Sequence, residues 1–139
     1  MSVYVRFARP DDVGLVSQDG SIPREVVLRK INLEEVIVAE VDGKTVGYIR
    51  LEYLWSHVPY MALIYVLGTH RRRGVGRALL KFTTDYLRAL GHEHFFSSSQ
   101  DNEPEPQAWH RQVGFVDAGR IEGINPDGST ELFFRLKLR

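Results

Sequence analysis

The sequence predicts an α/β (α+β) chain: a mixed central sheet of about seven strands flanked by about four helices. Three observations carry this. From Val58 to Leu67 ten successive residues bear no charge, as suits a strand buried on both faces near the middle of a sheet. A turn rich in glycine and arginine follows, and then Val75, Leu79, Phe82, Tyr86 and Leu90 recur at helical spacing before Gly91. Asp42-Gly43 and Asn125-Pro126-Asp127-Gly128 each divide two β-rich runs and so read as hairpin turns.

Taken in order, Val3 to Ala8 alternates as a first strand, and Arg9-Pro10-Asp11-Asp12 starts a short helix with proline and acids in its first turn. Gly20 and Pro23 punctuate the chain before a second helical face over Arg24 to Ile31. Val36 to Val41 and Thr45 to Trp55 pair antiparallel, and Ser56-His57-Val58-Pro59 turns the chain into the central strand. After the main helix, Phe95 and Phe96 mark a strand, and Ser97 to Gln107 reads as the one long polar irregular stretch. A proline-bounded helix over about Pro106 to Val113 and a last hairpin, Phe115 to Ile124 with Glu131 to Leu138, complete the chain.

Chemistry is visible in the turn between the central strand and its helix. Backbone N–H groups at a helix N-terminus lack intrahelical partners and attract anions, a tendency the macrodipole reinforces. Gly74 and Gly76 remove side chains that would hold a phosphate away, Arg71, Arg72, Arg73 and Arg77 supply charge, and Val75 lies between the glycines. The pattern suits a pyrophosphate. It is not the dinucleotide fingerprint, whose third glycine would fall at Leu79, and no Walker A sequence is present.

Arg71-x-x-Gly74-x-Gly76 between a buried strand and a helix resembles the acetyl-CoA pyrophosphate loop of the GCN5-related N-acetyltransferase (GNAT) superfamily. A second, ordered match is Ala108-Trp109-His110-Arg111-Gln112-Val113-Gly114-Phe115, which is similar to the family's late helix and the Gly-Phe opening its next strand. The resemblance covers about residues 35 to 138 well and the first thirty-odd weakly, and it reaches the superfamily and not the substrate. It implies one GNAT-like domain over residues 1–139, acetyl-CoA as cofactor, and strand backbone at Tyr65, Val66 and Leu67 holding the pantetheine arm and acetyl carbonyl. It also implies that the first two helices lie over the acceptor site.

Two departures from the family pattern concern catalysis. Members often carry a glutamate on the strand placed at Val58 to Leu67, and none occurs there. Glu52 on the adjacent strand is the nearest candidate base, although Arg50, its same-face neighbour, invites an ordinary ion pair; Asp101 and Glu103 are weaker alternatives. The family's tyrosine acid, four residues before Gly-Phe, is here His110, which either protonates the departing thiolate or packs. The family's asparagine is displaced as well: Asn102, the candidate cofactor contact, lies two residues further from Gly114, with Pro104 in its place. Tyr53, Trp55, His57 and Tyr60 flank the proposed cleft as candidate acceptor contacts, where Glu52 would favour a cationic amine.

Composition narrows the classes further. Eighteen basic residues balance eighteen acidic ones, which argues against a nucleic-acid binder using His70 to Arg77. With no cysteine, disulfides, cysteine metal sites and a thiol acyl-enzyme are excluded, so transfer would be direct. His92 and His94 lack a third ligand of clear spacing, and no metal is expected. The longest uncharged run is short of the ~20 residues that span a bilayer. The expectation is a cytoplasmic N-acetyltransferase, monomer or homodimer, using acetyl-CoA and an unidentified primary amine, without membrane or nucleic-acid partners. The alternative is a non-catalytic CoA-binding module of the same fold.

Overall fold

The computed structural model describes residues 2–139. Their strands are β1 (Val3–Phe7), β2 (Val36–Val41), β3 (Lys44–Leu54), β4 (Val58–Val66), β5 (His94–Gln100), β6 (Val116–Ile121) and β7 (Glu131–Lys137). The helices are α1 (Val13–Val16), α2 (Arg24–Asn32), α3 (Val75–Ala89) and α4 (Pro104–Gln112), with short 3-10 turns at Pro10–Asp12 and Gly68–His70. All seven strands form one sheet in the order β1-β2-β3-β4-β5-β7-β6. Every neighbouring pair is antiparallel except β4 and β5, which α3 joins as the crossover a parallel pair requires.

Because successive strand residues face opposite sides, the sheet carries two cores. On one side Val75, Leu79, Leu80 and Leu87 of α3 pack with Ile37, Ile49, Leu51, Met61 and Phe95. On the other, Val13, Val16, Val27 and Ile31 of α1 and α2 cover Val36, Val38 and Tyr48. Asp42 and Gly43 both take positive φ, 54° and 76°, and make the β2–β3 hairpin that the sequence signals.

Several expectations are corrected. The uncharged strand is central in order, but only Pro59 and Met61 of β4 are buried and most of the rest is half-covered. The reason is its neighbour: β4 and β5 are in register only at Tyr60 with Phe96 and at Met61 with Ser97. On its other side β3 pairs Arg50 with Leu63 and Leu51 with Met61, so Ala62 is an extra residue on β4. Such a bulge bends a strand and increases its twist, and from here β4 leaves β5. Leu90, expected on the packed face of α3, is 56% exposed, while Thr83, Thr84 and Leu87 complete the buried stripe. Ser97 to Gln100 is not irregular but the second half of β5, with Ser97 and Ser99 buried.

Gly47 on β3 faces the place where β4 turns toward α3. A Cβ added there would lie 2.8 Å from the Tyr65 carbonyl oxygen and 3.3 Å from Val75 and Leu79 side chains. Backbone on one side and a packed helix on the other leave little room for relief. Gly47→Ala should therefore cost about 1–3 kcal/mol, the usual scale of overpacking; urea unfolding that matches the parent would show that β4 can shift freely.

Candidate functional site

The site begins where β4 runs free of β5. Leu67 N–H donates to the Val46 carbonyl at 2.8 Å, and antiparallel strands direct alternate residues to opposite edges. Ile64 and Val66 therefore point their backbone groups toward the side where β5 has departed. The Val66 carbonyl accepts from Arg71 Nε at 3.1 Å, which ties the arginine turn back to the strand. Val66 N–H remains on the open edge.

The turn then enters α3 through two residues in the left-handed region, Arg72 (φ 61°) and Gly74 (φ 83°). Gly74 is the N-cap of α3, and its carbonyl accepts from Ala78 N–H at 3.0 Å. Its missing Cβ would meet nothing within 4 Å, so glycine serves here for conformation. Gly76 serves for space: a Cβ there would lie 3.7 Å from the Trp109 ring and 4.0 Å from Ile64. Those contacts are tolerable in the protein itself, so the glycine keeps a floor low between α3, β4 and α4. Val75 points inward and is buried. Arg71, Arg72, Arg73 and Arg77 are exposed, and none of them joins an ion pair among the described residues.

Trp109 is the residue that sequence reasoning passed over. It was legible only as part of the late-helix match, yet its indole forms the wall opposite Gly76. Asn102 lies in the exposed turn between β5 and α4.

His110 is not placed as a donor to the cleft. It is 4% exposed, stacked on Phe134 at 4.7 Å and edge-on to Phe115. Its Nδ1–H donates to the Pro106 carbonyl at 2.7 Å, and its Nε2 accepts from the Ser97 hydroxyl at 2.7 Å. Burial holds the imidazole below its ordinary pKa, which favours the neutral ring with its proton on Nδ1. A ring with no proton on Nε2 and no open face is an anchor between α4 and β5, which departs from the expectation of a general acid.

Glu52 pairs with Lys30 at 3.2 Å, and Lys30 also holds Glu35 at 2.9 Å. Its expected partner Arg50 is instead 3% exposed and donates to both Asp19 oxygens, at 2.6 and 2.9 Å, beneath the α1–α2 loop. Asp101 reaches Arg120 at 3.8 Å, and Glu103 is exposed at the N-cap of α4.

Of the four aromatic or imidazole candidates, the structure brings Trp55 and Tyr60 together and separates the others. Both line an apolar cavity of about 760 Å³ on the α1–α2 side of the sheet, with Leu54, Phe96, Ile121, Ile124 and Phe133. Tyr53 packs on the α3 side near His92, 6.1 Å away, and burial pushes its hydroxyl up to about 12. His57 is exposed at the β3–β4 tip, bonded to the Trp55 carbonyl.

A model of the acetyltransferase (GNAT) family matches residues 10–115. Streptothricin acetyltransferase of Streptomyces lavendulae is 26% identical over 133 residues, 91% of this chain and 67% of that protein. Aminoglycoside N(6')-acetyltransferase type 1 of Klebsiella aerogenes is 27% identical over 93 residues, 62% of this chain and 61% of its own length. Among solved structures, Ard1 from Thermoplasma volcanium superposes with a TM-score of 0.87 at 20% identity, covering 99% of this chain and 98% of its own. The yncA structure from Salmonella typhimurium, solved with acetyl-CoA, gives 0.84 at 18%, covering 100% and 95%.

The anchor reading of His110 has a measurable consequence. His110→Phe leaves the buried Ser97 hydroxyl without its partner, at about 1–3 kcal/mol for such a group. The parent's neutral imidazole contributes stability that is complete above the unfolded-state pKa of about 6.5 and is lost as pH falls below it. Thermal unfolding should show the variant well below the parent at pH 8, with the gap narrowing toward pH 5. A constant gap would refute a buried neutral imidazole.

Proposed function

The chain belongs to the acetyltransferase (GNAT) family, and from this premise we propose that it moves an acetyl group from acetyl-CoA directly onto a primary amine. The observation that carries the reading is the parting of β4 and β5 directly beside a turn of unpaired arginines and uncovered helix amides. An unpaired strand edge offers backbone donors and acceptors to an extended amide-bearing arm such as pantetheine. The turn at its end offers charge and N–H groups to phosphates.

Residues 72 to 77 would hold the pyrophosphate, with Gly76 and Trp109 shaping the space beneath the arm. Val66 N–H would serve the arm, and Ile64 N–H, the open-edge donor nearer the parting of the strands, is the one available to an acetyl carbonyl, whose oxygen gains charge when an amine attacks. No cysteine is present to carry the acyl group, so the amine attacks the thioester itself. A thiolate with a pKa near 8.5 leaves without a strong acid, and this fits a His110 sealed from the cleft. Among the described residues no helix is long and apolar enough to cross a membrane, in keeping with a cytoplasmic protein; we infer no nucleic-acid partner for a chain of zero net charge.

Calorimetry tests the cofactor half of this reading. Gly76→Val should weaken acetyl-CoA binding more than tenfold, which is ~1.4 kcal/mol or more. Gly74→Ala should chiefly destabilise the turn, since φ 83° suits glycine. CoA should bind more tightly than pantetheine, because the arginines answer to phosphate; equal affinity would remove the turn from the site. Acetyl-CoA binding without thiol release across an amine panel would favour the non-catalytic module.

A further inference from the structure

On the acceptor side of the parted strands lies a polar chain that none of the steps above uses. Tyr60 and Ser98 bond hydroxyl to hydroxyl, 2.5 Å apart, and the Ser98 hydroxyl donates to Glu131 Oε2 at 2.6 Å. Since the Ser98 proton is committed to Glu131, the Tyr60 hydroxyl is the donor in the first bond. Asn125 Nδ2 donates to Glu131 Oε1 at 3.0 Å and fixes the carboxylate from the β6–β7 loop. The bonds thus run in one direction, from Tyr60 through Ser98 to Glu131.

Position gives the chain its meaning. Tyr60 is one of the two β4 residues still paired with β5, immediately before the strands part. It also lines the apolar cavity, its ring tilted against Phe133 at 6.1 Å. Glu131 does not line that cavity and reaches it only through Ser98 and Tyr60. Of the charged groups nearby, Glu52 pairs with Lys30, Arg120 lines the cavity and reaches Asp101 at 3.8 Å, and Arg135, opposite Phe96 on β7, is exposed and joins no ion pair among the described residues.

We propose that Tyr60 is the catalytic residue that takes the proton from the acceptor amine, and that Ser98 and Glu131 act through it as relay and proton sink. This rests on the acetyltransferase reading. The acceptor enters as R–NH3⁺ with an apolar body in the cavity. One proton passes to the Tyr60 oxygen while the Tyr60 proton moves to Ser98 and the Ser98 proton to Glu131. The freed nitrogen pair forms the N–C bond to the acetyl carbon, and collapse breaks the C–S bond. The nitrogen's second proton and the thiolate complete the balance as amide, CoA–SH and one H⁺ released from Glu131. Tyr60 relays and does not ionise, because burial raises its pKa. The substrate class is a primary amine on an alkyl or aryl body, matched to the walls of Leu54, Trp55, Ile121 and Ile124.

The test compares the parent with Tyr60→Phe and Glu131→Gln, using phenethylamine and ethanolamine as acceptors. Phenethylamine should be the better substrate of the parent by more than tenfold in kcat/KM. At pH 7 each variant should lose about 10²-fold in kcat, and the loss should shrink to a few-fold near pH 10, where the amine arrives already deprotonated. Acetyl-CoA affinity should stay within twofold of the parent. Ser98→Ala should follow the same pattern if a variant at Tyr60 or Glu131 folds poorly. Parent-like turnover at pH 7, a loss equal at both pH values, or ethanolamine turned over as well as phenethylamine would overturn the proposal. A parent that does not bind acetyl-CoA at all would instead overturn the acetyltransferase reading.

Discussion

Everything distinctive in this molecule follows from two strands that share only two register positions, Tyr60 with Phe96 and Met61 with Ser97. Beyond them β4 stays with β3 and β5 stays with β7, the latter pair running in register to Gln100 with Glu131. The extra residue at Ala62 bends β4 at the point of separation. The parting leaves strand-edge groups unsatisfied by the sheet, a state that costs free energy if buried and dry. On the proposed reading, an arm with its own amides would fill the gap and satisfy them.

Keeping the gap from closing falls to buried polar contacts on either side. The Ser97–His110 bond and the stacking of His110 on Phe134 fasten α4 to the β5–β7 half. The Arg50–Asp19 pair, joined by the Tyr48 hydroxyl at 2.7 Å from Asp19, fastens the α1–α2 loop to the β3–β4 half. The bond from Arg50 holds the Asp19 carboxyl well below the usual carboxylate range. Buried ion pairs of this kind add little net stability against an apolar substitute, but losing one partner is costly. Their value here is to fix geometry: each half keeps its own helices, and the cleft is what lies between.

The elements with strong local signals were legible from residues alone. Asp42-Gly43, the helical stripe of α3 and the glycine-arginine turn each state a backbone requirement within a few residues. The far end of β5 is ambiguous in sequence, because its serines suit both a strand end and the polar stretch that follows; Ser97 and Ser99 are buried, and Ser97 bonds His110, distant in sequence. The same distance explains Glu52 and His110, whose fates depend on Lys30 and on Ser97 and Pro106. Glu131 was read only as the start of a strand, since nothing local to it announces Ser98 or Asn125. What the sequence hid was pairing across the sheet.

That difference bears on what similarity to other proteins can tell. On the proposed reading the cofactor side is built from backbone edge, helix amides, two glycines and exposed arginines, a set that a handful of residues can supply. The proposed acceptor side would be read by side chains at two hairpin tips, where Trp55 is 83% exposed and Ile121 and Ile124 stand open to solvent. Such positions carry no folding constraint and are free to change with the acceptor. A chain can therefore superpose on Ard1 with a TM-score of 0.87 while sharing 20% of its residues, and the shared part concerns the fold. On the reading proposed above, the acceptor is encoded where the cavity walls are apolar and a single carboxylate stands behind a tyrosine.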